Sequence, residues 1–307
     1  MNNQILDFTV EREEEGVRID KFLADIQEDL TRTFLQKLIK DGMVLVNDKA
    51  VKAGYRVCAM DSITIVLPPP VDLSIEPENI PIDILYEDKD FVIVNKGKGM
   101  VVHPAAGHYT GTLVNALLYH CKEDLSGING VLRPGIVHRI DMNTTGALVV
   151  CKNDKAHQFI AEQLKVHSIT RKYDALVYNT CNVTEGTVDG PIGRHPIDRK
   201  KMAINHRNGK HAVTNYKLIN NLGGKYAHIE CSLLTGRTHQ IRVHMASIGH
   251  PLLGDDVYGQ SKNPFHLEGQ ALHARVLGFI HPTTKEYMEF EAPLPEYFIN
   301  LENKLNS

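Results

Sequence analysis

A polar segment at residues 138–145 holds the side chains best suited to catalysis. It places one carboxylate, Asp141, after a histidine and an arginine and before two threonines, just ahead of the apolar run Ala147–Val150. Positive charge and hydrogen bonding both favour an ionised carboxylate, so these neighbours suit a nucleophile better than a proton donor. The same residues also fit a turn in which an aspartate side chain caps the backbone before a strand. The segment alone leaves both interpretations open.

Other catalytic chemistries find less support. His239 and His244 are five residues apart, and on a helix this spacing turns them about 140° apart, unlike the one-face histidine pair of a zinc protease. Residues 97–102 lack the third glycine of a dinucleotide loop, and the chain has neither a Gly-Lys-Ser/Thr phosphate loop nor a G-x-S-x-G elbow. A glycosidase would need a second catalytic carboxylate beside Asp141, and no comparable motif marks one. We therefore expect no metal and no cofactor.

Three segments in order along the chain resemble the motifs of the RluA-type pseudouridine synthases. His138–Gly146 resembles H-R-L-D-x-x-T-S-G, with Ile in place of Leu and Thr in place of Ser. Arg171–Val177 resembles the K-x-Y-x-A strand, and Thr235–His244 resembles T-G-R-x-H-Q-[IL]-R-x-H. With shorter flanking matches, including Asn95–Lys96 and Gly254–Asp255, the resemblance spans about residues 82–296.

This resemblance implies an isomerase that converts uridine in RNA to pseudouridine, and it implies roles for four residues. Asp141 would be the catalytic nucleophile, and Arg242 would pair with it. Tyr173 would lie against the uracil and relay the proton lost from C5, while Arg139 would fill the stack that the extruded nucleotide leaves. Three routes for Asp141 stay open: attack at C1′ of the ribose, removal of a ribose proton, or attack at C6 of the base.

The N-terminal part of the sequence resembles a different module. Residues 16–66 are similar to the S4 RNA-binding module, a small α/β domain, and helical patterns cover Arg18–Ala24 and Arg32–Ile39. The resemblance implies that the second helix docks RNA, with Arg32, Lys37 and Lys40 as contacts. Charge spacing alone fits a solvated helix face as well. Because residues 14–70 carry eight Lys/Arg against nine Asp/Glu, we expect this module to position RNA with modest affinity.

Prolines mark the boundary between the two parts. Pro68–Pro70 cannot continue a helix and favour an extended spacer. We predict an S4-like domain at residues 1–67, a proline-rich linker at 68–81 and a catalytic domain at 82–307.

The second part alternates strands and helices without the rhythm of a doubly wound sheet. Residue patterns predict strands at 91–94, 147–150, 173–177 and 229–233, and a helix over 155–167. The predicted fold class is α+β, built on a mixed, largely antiparallel sheet, which is also the catalytic fold of the family that the motifs resemble. We expect Asp141 at the rim of a central cleft.

Composition limits where RNA can bind. The formal net charge is −3 over 307 residues, so any RNA contact must be local. Residues 194–211 carry six Lys/Arg and one acid and predict an exposed loop that either is merely solvated or meets phosphates. The five cysteines form no C-x-x-C pair, and no apolar run is long enough to span a bilayer. We expect a cytoplasmic protein without membrane contact, acting as a monomer.

The motifs do not specify which RNA is modified. The order of modules most resembles the D-type branch of the family, which acts on 23S ribosomal RNA, so structured rRNA is the expected partner. A transfer RNA target is the alternative within the family. A non-catalytic, RNA-binding ribosome assembly factor is the alternative outside it, since such a protein would need the S4-like helix and the basic segment but not Asp141.

Overall fold

The computed structural model describes residues 4–27, 32–67, 75–105, 107–122, 124–128, 133–198, 201–260 and 262–306. The chain forms two compact units, Met1–Leu73 and Ser74–Ser307. Of the predicted linker at 68–81, residues 68–74 lie outside the described part of the chain.

The first unit packs two helices against a small antiparallel sheet. Its elements are β1 (Gln4–Thr9), α1 (Ile19–Ile26), α2 (Arg32–Lys40), β2 (Val44–Val46), β3 (Lys49–Ala50) and β4 (Ser62–Leu67), with a short 3-10 helix at Arg12–Glu14. The strand order is β1-β4-β2-β3. Asn47 and Asp48 both have positive φ, as a tight two-residue hairpin turn requires. Both predicted helices are confirmed.

The second unit is built on one large sheet. Its first elements are β5 (Asp83–Glu87), β6 (Phe91–Lys96), α3 (Leu113–Cys121), β7 (Thr145–Cys151), α4 (Asp154–Lys165), β8 (Thr170–Tyr178) and β9 (Glu185–Asp189). Then follow β10 (Ile192–Arg194), β11 (Met202–Ile204), β12 (Val213–Leu222), β13 (Tyr226–Leu233), α5 (Gln240–Ser247), β14 (Leu272–Ile280), β15 (Tyr287–Glu291) and α6 (Glu296–Asn306). The strand order is β5-β6-β7-β14-β8-β13-β12-β9, with β15 paired to β14.

Nearly all neighbours in this sheet are antiparallel. The exception among the described strands is β7 with β14, which run parallel and align Thr145 with His273 and Gly146 with Ala274. The predicted α+β fold on a mixed, largely antiparallel sheet is therefore confirmed. Gly146 has φ +109°, and a Cβ there would lie 2.2 Å from the Ala274 carbonyl oxygen, so only glycine permits this close pairing.

The central strands are buried on both faces, as their apolar runs require. On β6, Val92 and Val94 face one core cluster, to which α3 contributes Leu113 and Leu117. The alternate residues of β6, Phe91 and Ile93, face a second cluster with Ala156 and Ile160 of α4. Helices therefore cover the sheet on both sides and leave the strand ends to carry polar residues.

A buried histidine ties α6 to the sheet. His228 on β13 lies 2.7 Å from Asp174 of β8 through Nε2 and 2.8 Å from Glu302 of α6 through Nδ1. Both ring nitrogens donate to carboxylates only when the ring is protonated. Burial alone would lower the pKa of His228, but the two carboxylates outweigh it and raise the pKa.

The basic segment at 194–211 differs from the predicted loop. Arg194 ends β10, which pairs antiparallel with β11, so the described part of the segment includes a small hairpin. The reason is apolar packing, since Ile192, Met202 and Ile204 pack with Val243 of α5. Arg199 and Lys200 lie outside the described residues. Across the described chain, none of the helices combines the length and the apolar character that crossing a bilayer demands.

Candidate active site

One cavity of about 630 Å³ gathers the candidate residues of the second unit. Its walls come from the segment before β7, from α4, from β8 and from the turn between β13 and α5. Among the lining residues are the three catalytic candidates and one predicted RNA contact: Asp141, Tyr173, Arg242 and Arg139. Asp141 thus lies at a cleft, as expected, although more than 100 residues separate it from Arg242.

Arg242 is the charge partner of Asp141. Its Nη1 donates to Asp141 Oδ2 across 3.0 Å, and the two side chains are 6% and 18% exposed. Such a charge-assisted bond is stronger and more directional than one between neutral groups. The aspartate is therefore held in one orientation, yet remains open to a ligand in the cavity.

Asp255 fixes Arg242 from the other side. Nε and Nη2 of Arg242 donate to the two carboxylate oxygens of Asp255 at 2.7 and 2.8 Å. Burial would raise the pKa of Asp255, but Arg242 and the backbone N–H groups of Tyr258 and Val257 outweigh it and lower the pKa. Sequence reasoning did not assign Asp255 a role, although the flanking match at Gly254–Asp255 marked its position.

In the described structure, His138, Thr144 and Thr145 form no hydrogen bond or ion pair with the Asp141 carboxylate. The prediction that these sequence neighbours favour its ionised form is therefore wrong. Burial and the nearby Arg171 lower the pKa of His138 to about 3, so it is neutral, and its Nε2 accepts the Val149 N–H at 3.1 Å. The hydroxyl of Thr144 bonds Gln270, and that of Thr145 bonds His273. These groups anchor the loop to the sheet, and the charge that holds Asp141 comes from Arg242.

Lys96 of β6 forms hydrogen bonds with the backbone of the loop that contains Asp141. Only 1% exposed, it donates through Nζ to the carbonyl oxygens of Gly97, Met100 and Met142 at 2.7, 3.0 and 2.9 Å. Burial lowers its pKa to about 7, partly opposed by the charge of Asp141. Because Met142 directly follows Asp141, Lys96 holds the backbone beside the candidate nucleophile in place. The Asn95–Lys96 match pointed to this residue without giving its role.

Tyr173 lies on β8, in the wall of the cavity. It is 8% exposed, and burial raises the pKa of its phenol. The hydroxyl is therefore protonated at neutral pH. In that form it can pass a proton on but does not act as a standing base.

The two histidines considered for a metal site have separate partners. His239 precedes α5 with a left-handed backbone, φ 57°, so it is not on the helix as the spacing argument assumed. Its Nδ1 lies 2.8 Å from the Tyr258 hydroxyl, and its Nε2 lies 3.9 Å from Asp141. His244 is buried, and its Nδ1 and Nε2 form hydrogen bonds with the Thr214 hydroxyl and the Gly190 carbonyl oxygen.

In the first unit, the predicted RNA contacts lie on the exposed side of α2. Arg32 is tied to the buried Asp20 of α1 by Nε and Nη2, at 3.1 and 2.9 Å, yet its side chain stays 51% exposed. Lys37 and Lys40 are exposed. Burial would raise the pKa of Asp20, but hydrogen bonds from Arg18, Gln36 and Arg32 outweigh it and lower the pKa. The contact roles remain predictions.

Comparison with known proteins identifies the class. The RNA pseudouridylate synthase family model matches residues 90–247, a segment that contains Asp141, Tyr173 and Arg242, and the S4 domain model matches residues 17–63. The chain belongs to the RNA pseudouridine synthase family and carries an S4 domain at its N-terminus. The resemblance drawn from the motifs is confirmed, and the protein is an RNA isomerase by family.

Individual relatives cover almost the whole chain. The uncharacterized RNA pseudouridine synthase YlyB of Bacillus subtilis is 53% identical over 96% of this chain and 95% of its own length. The ribosomal large subunit pseudouridine synthase D of Zymomonas mobilis is 48% identical over 94% of this chain and 93% of its own length. Among solved structures, human RNA pseudouridylate synthase domain containing 1 superposes with a TM-score of 0.57 at 27% identity, covering 74% of this chain and 86% of that one.

Proposed function

We propose that this protein isomerises specific uridines of 23S ribosomal RNA to pseudouridine, with Asp141 as the nucleophile. The observation that carries the proposal is the pair formed by Asp141 and the immobilised Arg242 in a cavity large enough for a nucleotide. Some relatives, such as the Zymomonas mobilis protein, are named as ribosomal large subunit pseudouridine synthases. These names support ribosomal RNA as the substrate.

The reaction suits a site with a single carboxylate. It breaks the C1′–N1 bond and forms a C1′–C5 bond, with no net redox change and no hydrolysis, so a lone nucleophile can suffice. Asp141 assists departure of the uracil by attack at C1′ or by removal of a ribose proton, and attack at C6 is the third route. In each route Arg242 keeps the carboxylate charged and pointed into the cavity.

Tyr173 and Arg139 complete the site in this proposal. The ring of Tyr173 stacks on the uracil, and its neutral hydroxyl relays the C5 proton. Because the target base is shielded in stacked RNA, it must be extruded at a cost of a few kcal/mol. Arg139, exposed where it lines the cavity, fills the gap that the base leaves.

The N-terminal domain positions the RNA. In the proposed arrangement residues 1–67 form the S4 domain, 68–81 a linker and 82–307 the catalytic domain. Arg32, Lys37 and Lys40 on α2 contact phosphates of structured rRNA, and the catalytic domain then acts on the presented uridine. The protein works as a monomer in the cytoplasm, where ribosomal RNA is made and assembled.

Mapping pseudouridine by mass spectrometry in total RNA tests the proposal. Cells lacking the gene should lose pseudouridine at defined 23S positions, and complementation with the wild-type protein should restore it. Asp141→Asn should fail to restore it, whereas Glu286→Gln, an exposed carboxylate in the turn between β14 and β15, should succeed. Loss confined to transfer RNA would overturn the ribosomal assignment, and loss at no position would overturn the catalytic one.

A further inference from the structure

Arg171 is a buried cation, and two of its nitrogens have no hydrogen-bond partner in the described part of the chain. The residue is 7% exposed, and its Nε and Nη2 are sealed from solvent with no hydrogen-bond partner among the described residues. An arginine side chain stays charged at neutral pH. A buried charge is stable only when it is paired or hydrogen-bonded. The free protein therefore holds at this position a strong donor whose acceptor is not part of the described chain.

The local backbone makes room for this guanidinium beside the catalytic residues. Arg171 is two residues before Tyr173 on β8, so both side chains leave the same face of the strand, and both line the cavity. A Cβ on Gly236 would lie 2.6 Å from Nη1 of Arg171. Glycine at this turn therefore allows the guanidinium to lie against the T-G-R motif.

The cavity wall around Arg171 is positive. Asp141 is the sole carboxylate among the described lining residues, and it is already paired with Arg242. The lining cations not bound to it are Arg139, Arg171, Arg237 and Lys165, and Lys165 is paired with Glu162 outside the lining. Burial, together with the charge of Arg237, lowers the pKa of Arg171. An anion entering the cavity would offset both the desolvation cost of the Arg171 charge and its repulsion by Arg237.

We propose that Arg171 is a phosphate-binding residue that takes a phosphodiester of the RNA strand beside the target nucleotide. This inference rests on the proposed function, because an RNA substrate is what brings phosphates to the cavity. A base carbonyl would accept one N–H but leave the charge uncompensated, whereas a phosphodiester supplies a charge and two acceptor oxygens that match the guanidinium fork.

The salt dependence of binding to a short fluorescent oligouridylate tests the contact. Arg171→Gln should weaken binding several-fold at low salt and reduce the slope of log affinity against log salt by about 0.7, the value for one phosphate on a single strand. Arg171→Lys should keep the slope, because it keeps the charge. Lys217→Gln, an exposed lysine on β12 that does not line the cavity, should match the wild type. An Arg171→Gln slope equal to that of the wild type would overturn the proposal.

Thermal unfolding without RNA separates ligand binding from a structural role. Since Arg171→Gln removes an unpaired buried charge, the RNA-free variant should unfold at the same or a higher temperature than the wild type. A lower unfolding temperature with unchanged affinity would assign the residue to the fold and overturn the proposal. Pseudouridine formation by the wild-type protein is measured alongside. Its absence would count against the proposed function, whereas normal formation with an unchanged slope in Arg171→Gln would reject the phosphate contact alone.

Discussion

Arg242 donates hydrogen bonds to two aspartates, from Nε and Nη2 to Asp255 and from Nη1 to Asp141, while the exposed Asp256 lies 3.6 Å from Nη2. The bidentate side is buried and rigid, and the single bond is at the cavity. The two bonds to Asp255 fix the direction in which Nη1 donates to Asp141 before any substrate binds. The Asp141 carboxylate is thus oriented through Arg242 by a residue, Asp255, that does not line the cavity.

Replacing Asp141 by asparagine should abolish turnover while leaving RNA binding intact. Asparagine keeps the shape and one acceptor oxygen but lacks the anionic nucleophile, so we expect kcat to fall by about a thousandfold or more. Affinity for the same RNA should stay within about threefold, since mutations confined to the reacting group remove transition-state interactions only. Single-turnover pseudouridine assays with a parallel binding titration measure both quantities. Formation at a near-native rate would end the nucleophile assignment.

Asp255→Asn should impair catalysis without touching the reacting atoms. An amide in place of the carboxylate breaks the bidentate pair and lets Arg242 drift, and displacement of a catalytic group by about 1 Å costs about 10²-fold in rate. Losing one partner of a buried ion pair also destabilises the fold by about 3–5 kcal/mol. Both kcat and unfolding free energy should therefore fall, whereas the exposed Glu286→Gln should change neither. Normal kcat in a folded Asp255→Asn protein would show that the anchor is dispensable.

Tyr173→Phe separates the role of the hydroxyl from that of the ring. If the phenol relays the C5 proton, phenylalanine should slow the reaction by about 10²–10⁴-fold, the usual range for acid–base catalysis. Deuterium at C5 of the substrate uridine should then give a larger isotope effect than in the wild type. Tyr173→Leu removes the ring as well and should also raise KM. A Phe variant within twofold of wild type would restrict Tyr173 to stacking.

The motifs predicted which residues meet but not what holds them. Asp141, Tyr173 and Arg242 were assigned from three separate segments, and the fold brings all three to one cavity. The contacts of Asp141 differ from the prediction because neighbours in sequence need not be neighbours in space. Before and at the start of β7, the side chains of His138 and Thr145 bond to the sheet. Asp255 and Lys96 act through contacts with segments 13 and 46 residues away, and no local pattern encodes such pairing.

The protonated His228 bridge predicts a pH-dependent stability. The folded-state pKa of His228 is raised above its unfolded value near 6.5. The bridge therefore contributes fully below about pH 6.5 and is lost as the pH rises through the folded pKa. The difference in unfolding free energy between the wild type and His228→Gln should shrink on raising the pH from about 6. Denaturant unfolding at a series of pH values measures it, with His211→Gln, exposed beside Asp189, as control. A constant difference would show that the pKa of His228 is not raised in the folded state.

The exposed lysines of α2 should account for part of the salt dependence of rRNA binding. Replacing Lys37 and Lys40 by glutamine should lower the slope of log affinity against log salt by up to about 1.4, at about 0.7 for each phosphate contact. Replacing Lys49 and Lys52, which are exposed on and after β3, should have no such effect. Titrations from low to moderate salt on a 23S fragment give the slopes. Equal slopes in wild type and Lys37/Lys40 double variant would mean that this face of α2 is only solvated.

The central strands of the large sheet are easier to predict from the sequence than the hairpin at 192–204. Strands β6, β7 and β8 are long, apolar or alternating, and their periodicity predicts them directly. In the basic segment the charges are frequent and the apolar residues few, so the pattern predicted a loop. The strands form there because Ile192 and Ile204 find an apolar partner on α5, which lies some forty residues further along the chain.

The parallel pairing of β7 with β14 also determines when activity can arise during synthesis. Asp141 is translated near the middle of the chain, but the strand that follows it aligns with residues 273 and 274, close to the C-terminal end. A nascent chain that stops before β14 carries Asp141 but lacks the strand that pairs with β7. Such contacts between distant residues form late and slowly. A competent enzyme would therefore form only after β14 has been translated, and products truncated before β14 would be inactive despite containing all three motifs.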